Sequence, residues 1–171
     1  MRHRPALPLL LAASALTASS QQADDEAAAP TPTPTLTTQA LPTQAADGTP
    51  LAIGEWLIEE TAGGASARFR EQGGADALVL VCDRANRALS LSRAGTTAQP
   101  QRFRITIGAQ KADVMMAPGG ALGLSATVDG TQPIFAAFAD PAAVIELIGP
   151  GAAALRLPGH PGISRVLAAC V

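Results

Sequence analysis

Two cysteines, a single histidine beyond the first few residues, and two copies of Arg-Phe-Arg are where this sequence concentrates reactive side chains. His160 sits in Leu157-Pro158-Gly159-His160-Pro161-Gly162, with no Ser or Cys at a recognisable nucleophile spacing. Without such a partner an imidazole at the start of a helix needs no catalytic role. One histidine and two cysteines, if the latter are bonded to each other, leave no Cys/His set to hold a metal. Gly123-Leu124-Ser125-Ala126-Thr127 lacks the last glycine of a nucleophile elbow, and no helix follows it. Lys111, the only lysine, follows no glycine-rich phosphate loop. Glu59 and Glu60 are adjacent in an extended segment and point to opposite faces, so they cannot work as a carboxylate pair. Asp83 reads as a turn former.

The cysteines are more informative. Cys82 shares a strand face with Leu78 and Leu80, and Cys170 ends an apolar helical stripe. A pairing Cys82–Cys170 would fasten that helix to a central strand. It would contribute on the order of 4 kcal/mol through the entropy of the unfolded chain. Two buried free thiols, or a redox pair, are the alternatives; a redox pair usually shows C-x-x-C spacing, which is absent.

Arg68-Phe69-Arg70 and Arg102-Phe103-Arg104 each lie in an alternating segment, Phe inward and arginines outward. If their strands were neighbours, Arg68, Arg70, Arg102 and Arg104 would form one surface able to grip carboxylate or phosphate. A solvated face balanced by Glu55, Glu59 and Glu71 is the simpler alternative.

The elements that would position these groups are mostly strands. Segments 54–60, 65–71, 78–82, 88–92 and 102–107 carry strand patterns, the third continuously apolar and most of the others alternating. Weaker strands are expected at 114–116, 122–128, 144–148 and 153–157, separated by Gly and Pro. Asp83-Arg84-Ala85-Asn86 makes a hairpin of 78–82 and 88–92. Two short helices interrupt the strands. One opens at Pro133, with Ile134, Phe135 and Phe138 on a face. The other opens at Pro161, with Ile163, Val166, Leu167 and Cys170 at i, i+3, i+4 and i+7. All four Phe, Trp56 and the Met115-Met116 pair read as strand or core packing. The fold class expected is mainly β (α+β): an antiparallel sandwich or barrel with the C-terminal helix packed on the sheet.

The sequence is expected to divide into a signal peptide (1–18), a disordered Pro/Thr/Ala-rich linker (19–50) and one β-rich domain (51–171). Met1-Arg2-His3-Arg4 is basic, the run from Ala6 to Ala18 is apolar, and Ala15 or Ala18 offers a small-residue cleavage site. That run is too short to span a membrane, which takes ~20 apolar residues. Pro30, Pro32 and Pro34 keep the linker extended. Between 51 and 171 ten basic residues balance ten acidic ones, leaving no electrostatic reason to expect nucleic acid.

The domain resembles a group of uncharacterised exported proteins and lipoproteins of alphaproteobacteria, sphingomonads especially. The resemblance rests on Trp56, on LVLVCDRANRALSLSR (78–93) and above all on LPGHPGISRVLAAC (157–170). Ser19 stands where those lipoproteins carry the lipidated Cys, so a hydroxyl replaces the thiol that takes the lipid. The group has no assigned activity, so the resemblance implies location and architecture only.

These features imply a periplasmic or secreted, non-enzymatic binding or structural module of the cell envelope, without cofactor or metal. Its partner is a protein or an anionic glycan or lipid, met through the arginine face. The alternative is an inhibitor of a hydrolase that inserts a loop such as 117–123 or 157–162 into a cleft.

Overall fold

The computed structural model describes residues 41–151 and 153–170. The signal peptide expected at 1–18 and the linker as far as 40 lie outside the described residues. Nine strands follow one another: β1 (Gly54–Thr61), β2 (Gly64–Glu71), β3 (Asp76–Asp83), β4 (Ala88–Ala94), β5 (Gln101–Ile107), β6 (Gln110–Pro118), β7 (Gly123–Val128), β8 (Val144–Ile148) and β9 (Leu155–Pro158). Helix α1 (Pro133–Ala136) runs into a 3-10 turn at Ala137–Ala139 between β7 and β8, and α2 (Ile163–Ala168) follows β9.

The strands pair in the order β1-β2-β3-β4-β7-β6-β5-β8-β9, every pair antiparallel. Strand β6 belongs to both halves of this sheet. Its length pairs with β5 from Ile107↔Gln110 to Gln101↔Met116, while Ala117 and Pro118 pair with β7. The sheet curls toward a barrel. Its two edges meet where the Ala52 N–H donates to the Arg156 carbonyl and the Trp56 indole N–H donates to the Pro158 carbonyl, both at 2.8 Å.

Alternation sets the core. Ala65, Ala67 and Phe69 of β2, Leu78, Leu80 and Cys82 of β3, and Leu89 and Leu91 of β4 are all buried, as are Phe103, Ile105 and Ile107 of β5. Period-2 alternation in every strand puts one apolar set on the inner face. Trp56 joins them, edge-on to Phe69 at 5.4 Å between ring centroids. Edge-to-face rings are favoured electrostatically, and the paired indole N–H leaves Trp56 without an unmet donor.

Because strand direction alternates across the whole sheet, all helices lie at one end. There the inner face is capped by Ile134, Phe135, Phe138, Ile163 and Val166, each buried. Pro133 occupies the first turn of α1, where its missing N–H costs nothing. The expected cross-link is present: Cys82 and Cys170 are bonded, with Cα atoms 5.6 Å apart.

Three details differ from the expectations. Strand β6 spans nine residues, because Lys111, Ala112 and Asp113 extend the alternation with a small residue that carries little hydrophobic signal. Met116 is buried, but Met115 faces out and is 54% exposed, as neighbours on a pleated strand must. Residues 41–50, assigned to the linker, instead make a small turn. Gln44 bridges Pro50, the Ala45 N–H donates to the Thr49 carbonyl, and Leu41 packs on the core.

Candidate functional site

The four arginines do not share a surface. Strands β3, β4, β7 and β6 stand between β2 and β5 in the sheet, so the two Arg-Phe-Arg triplets are separated across it. Their common local pattern says nothing of strand order, and the order keeps them apart. Both phenylalanines are inward and buried, as expected. On β2, Arg68 is ion-paired with Glu59 and Arg70 with Asp76 at 3.1 Å. On β5, Arg104 grips Asp113 through Nε (3.0 Å) and Nη2 (3.4 Å). That hydrogen bond holds the exposed Asp113 carboxyl below its ordinary range, and Asp113 raises Arg104 in return. Arg102 differs: among the described residues it is exposed and makes no ion pair.

Register defines what surrounds Arg102. It lies opposite Met115 on β6, while Arg104 lies opposite Asp113 on β6 and Ile148 on β8. Met115 and Ile148 are 54% and 41% exposed, which makes this outer face both cationic and apolar. Long apolar side chains beside a free guanidinium are the ingredients of a contact surface rather than of a catalytic one.

A second cation lies on the inner face and was not among the residues singled out from the sequence. Arg93 continues the inward register of Leu89 and Leu91, two residues further along β4. Its cross-strand partners are Leu78 on β3 and Leu124 on β7. The guanidinium carbon stands 4.9 Å from the centre of the Phe103 ring, a cation–π contact. Its Nε donates to the Ala94 carbonyl at 3.3 Å, and its Nη1 is buried with no hydrogen-bond partner among the described residues. Burial lowers the arginine's pKa, though a guanidinium remains charged at any physiological pH. The alternation of β4, carried one step past Leu91, was the signal that would have found it.

His160 is structural in its surroundings. The Gly162 N–H donates to its Nδ1 at 3.1 Å, and its own N–H donates to the Phe138 carbonyl at 2.9 Å. Burial first, and then the charge of Arg165, push its pKa below the ordinary value. Leu157, Pro158, Gly159 and Gly162 are buried around it. Segment 157–162, expected as a projecting loop, is therefore packed into the molecule, because Pro158 receives the Trp56 indole and Gly159 abuts the Asp140 backbone. Segment 117–123 remains on the surface, its Gly119 N–H donating to the Gly123 carbonyl at 2.9 Å. Ser125, the serine of the incomplete elbow motif, sits mid-strand in β7 opposite Ser92.

A shallow open groove of about 380 Å³ runs over the β1–β2 turn and the end of β3, lined by Glu59, Thr61, Ser66, Val81 and Asp83 among others. Among the described residues no helix is long and apolar enough to cross a membrane, and no three His, Cys, Asp or Glu side chains converge. No protein-family model matches the chain, and neither does any curated protein or solved structure.

Proposed function

We propose that this chain is an exported cell-envelope protein that acts by binding, and that the outer face of β5 is what meets its partner. The Cys82–Cys170 bond fits an oxidising location, periplasmic or extracellular. The observation that carries the binding reading is Arg102. It is an exposed guanidinium with no ion pair, set opposite exposed Met115, on a strand whose other arginine is already neutralised. Asp113 feels the charge of Arg102 but is hydrogen-bonded to Arg104. A free guanidinium offers a planar fork of donors that suits a phosphate or carboxylate, while Met115 and Ile148 supply contact area for the carbon skeleton next to it. The partner is thus an anionic envelope surface.

Cosedimentation of the full chain with phosphatidylglycerol vesicles tests this. Arg102→Glu should weaken retention roughly fivefold or more, the worth of one surface charge near an anionic bilayer. Arg68→Glu serves as the control, since Arg68 is committed to Glu59. Equal retention of wild type and Arg102→Glu would end the proposal. The inhibitor reading keeps one candidate, the surface turn at 117–123; it would show instead as retention on a hydrolase that Arg102→Glu leaves unaltered.

A further inference from the structure

The end of the barrel away from the helices is built from the connections 72–75, 95–100, 119–122 and 149–154. Arg93 is the inward-facing cation of β4 at this end, and its position there is unusual. A buried guanidinium nitrogen without an acceptor is costly, because the water it has given up is not replaced. Proteins pair nearly all such groups. Across both ladders Arg93 meets leucines, not acids. Asp76, two residues from Leu78 on β3, is committed to Arg70 at 3.1 Å. What Arg93 has instead is an aromatic floor. Phe103 lies under the guanidinium, and the ring is fixed from below by Gly149: a Cβ at that position would stand 1.9 Å from Phe103 Cε1. The residue keeps partial contact with solvent while Nη1 does not.

We propose that this end of the barrel holds a second binding site, in which Arg93 takes the carboxylate of a small organic acid and Phe103, Leu78 and Leu124 hold its apolar body. One inward cation suits a monoanion; a doubly charged phosphate would be left half-compensated. An acceptor at Nη1 supplies the missing hydrogen bond. The guanidinium keeps its place on the ring, because an arginine engages an anion through its edge and an aromatic through its face. This site lies on the opposite face of the sheet from Arg102 and does not depend on the envelope-binding reading.

The test is an NMR titration of the ¹⁵N-labelled full chain with hexanoate, compared with hexanol and inorganic phosphate. Hexanoate is expected to shift the Arg93 Nε–H and Phe103 ring signals at roughly tenfold lower concentration than hexanol does, the difference a charge-assisted hydrogen bond makes. Arg93→Met keeps an apolar stem between two leucines. It should leave the thermal midpoint unchanged or higher while weakening hexanoate roughly tenfold. Should the methionine variant fail to fold, Arg93→Lys is the second test: it keeps the charge, loses the planar fork, and should bind hexanoate severalfold more weakly. Arg102→Glu should bind hexanoate like the wild type, which separates this site from the envelope face. Hexanol binding as tightly as hexanoate, phosphate alone moving Arg93 as strongly, or either Arg93 variant retaining full hexanoate affinity would each overturn the proposal.

Discussion

The two ends of this barrel solve opposite problems. At the helix end every polar group of interest has a partner. The Trp56 indole reaches Pro158, His160 Nδ1 accepts from Gly162, and the last helix is bonded through Cys170 to β3. At the loop end the inner face finishes on Arg93, whose Nη1 has no partner, above a ring packed against a glycine. Where every group is satisfied, the protein spends its structure on stability. Where one buried charge is left wanting an acceptor, local structure departs from what stability alone would select, and such departures concentrate at functional sites.

The comparison is broken most directly at the cross-link. It closes a separation of 88 residues, so its removal releases loop-closure entropy worth on the order of 4 kcal/mol. For a domain of this size, with ~5–15 kcal/mol in hand, that is a large fraction. A Cys82→Ala/Cys170→Ala variant should show a much lower urea midpoint with an unchanged m-value. Under native conditions the hexanoate response of Arg93 should persist in whatever fraction remains folded. A midpoint equal to that of the wild type would mean that the helix end is held by packing alone.

Gly149→Ala probes the other end and should cost less. The new methyl group would meet Cε1, Cδ1 and Cζ of Phe103 at 1.9, 2.4 and 2.7 Å, so the ring or the 149–154 connection must shift. Overpacking of this kind costs about 1–3 kcal/mol. Because the displaced ring is the floor under Arg93, the substitution should also disturb the Arg93 Nε–H resonance in the free protein. A destabilised variant with an unmoved resonance would show that Phe103 does not position the guanidinium.

How far these two ends were legible in the sequence differs. The helix end was readable because its determinants are local: Pro133 and Pro161 open the helices, the stripe Ile163, Val166, Leu167, Cys170 defines a face, and Cys82 inherits the parity of Leu78 and Leu80. With only two cysteines, inward parity on both leaves a single pairing. The loop end was less readable because its meaning is tertiary. Nothing local says that β4 pairs with β7 rather than β5, so the leucine on either side of Arg93 and the aromatic ring beneath it were invisible, although its inward register was not. The same ignorance of strand order suggested one arginine cluster where the sheet makes two separate groups. The early turn at 41–50 carried a usable cue, since Asp47 accepts from the Thr49 N–H and Gly48 takes a positive φ of 81°.

The smallest expected effect lies back at the helix end, in His160. Its folded-state pKa is lowered by burial and by Arg165, relative to an ordinary value of 6.5. A histidine with a depressed pKa binds fewer protons folded than unfolded, so stability falls as pH falls. Its contribution is fully present above about pH 6.5 and is lost progressively as pH drops toward the lower folded value. The structural cause is concrete: protonating Nδ1 destroys the acceptor for the Gly162 N–H just before α2. His160→Gln offers a carbonyl oxygen to the same N–H and does not titrate. The carboxylates with lowered pKa, Asp47, Asp113 and Asp129, titrate at lower pH and are common to both proteins. The difference in thermal midpoint between wild type and His160→Gln should therefore change between pH 7 and 5, with the wild type losing more. Parallel curves over that range would mean that the ring does not accept this bond, and that the helix end, too, carries a polar group held by shape alone.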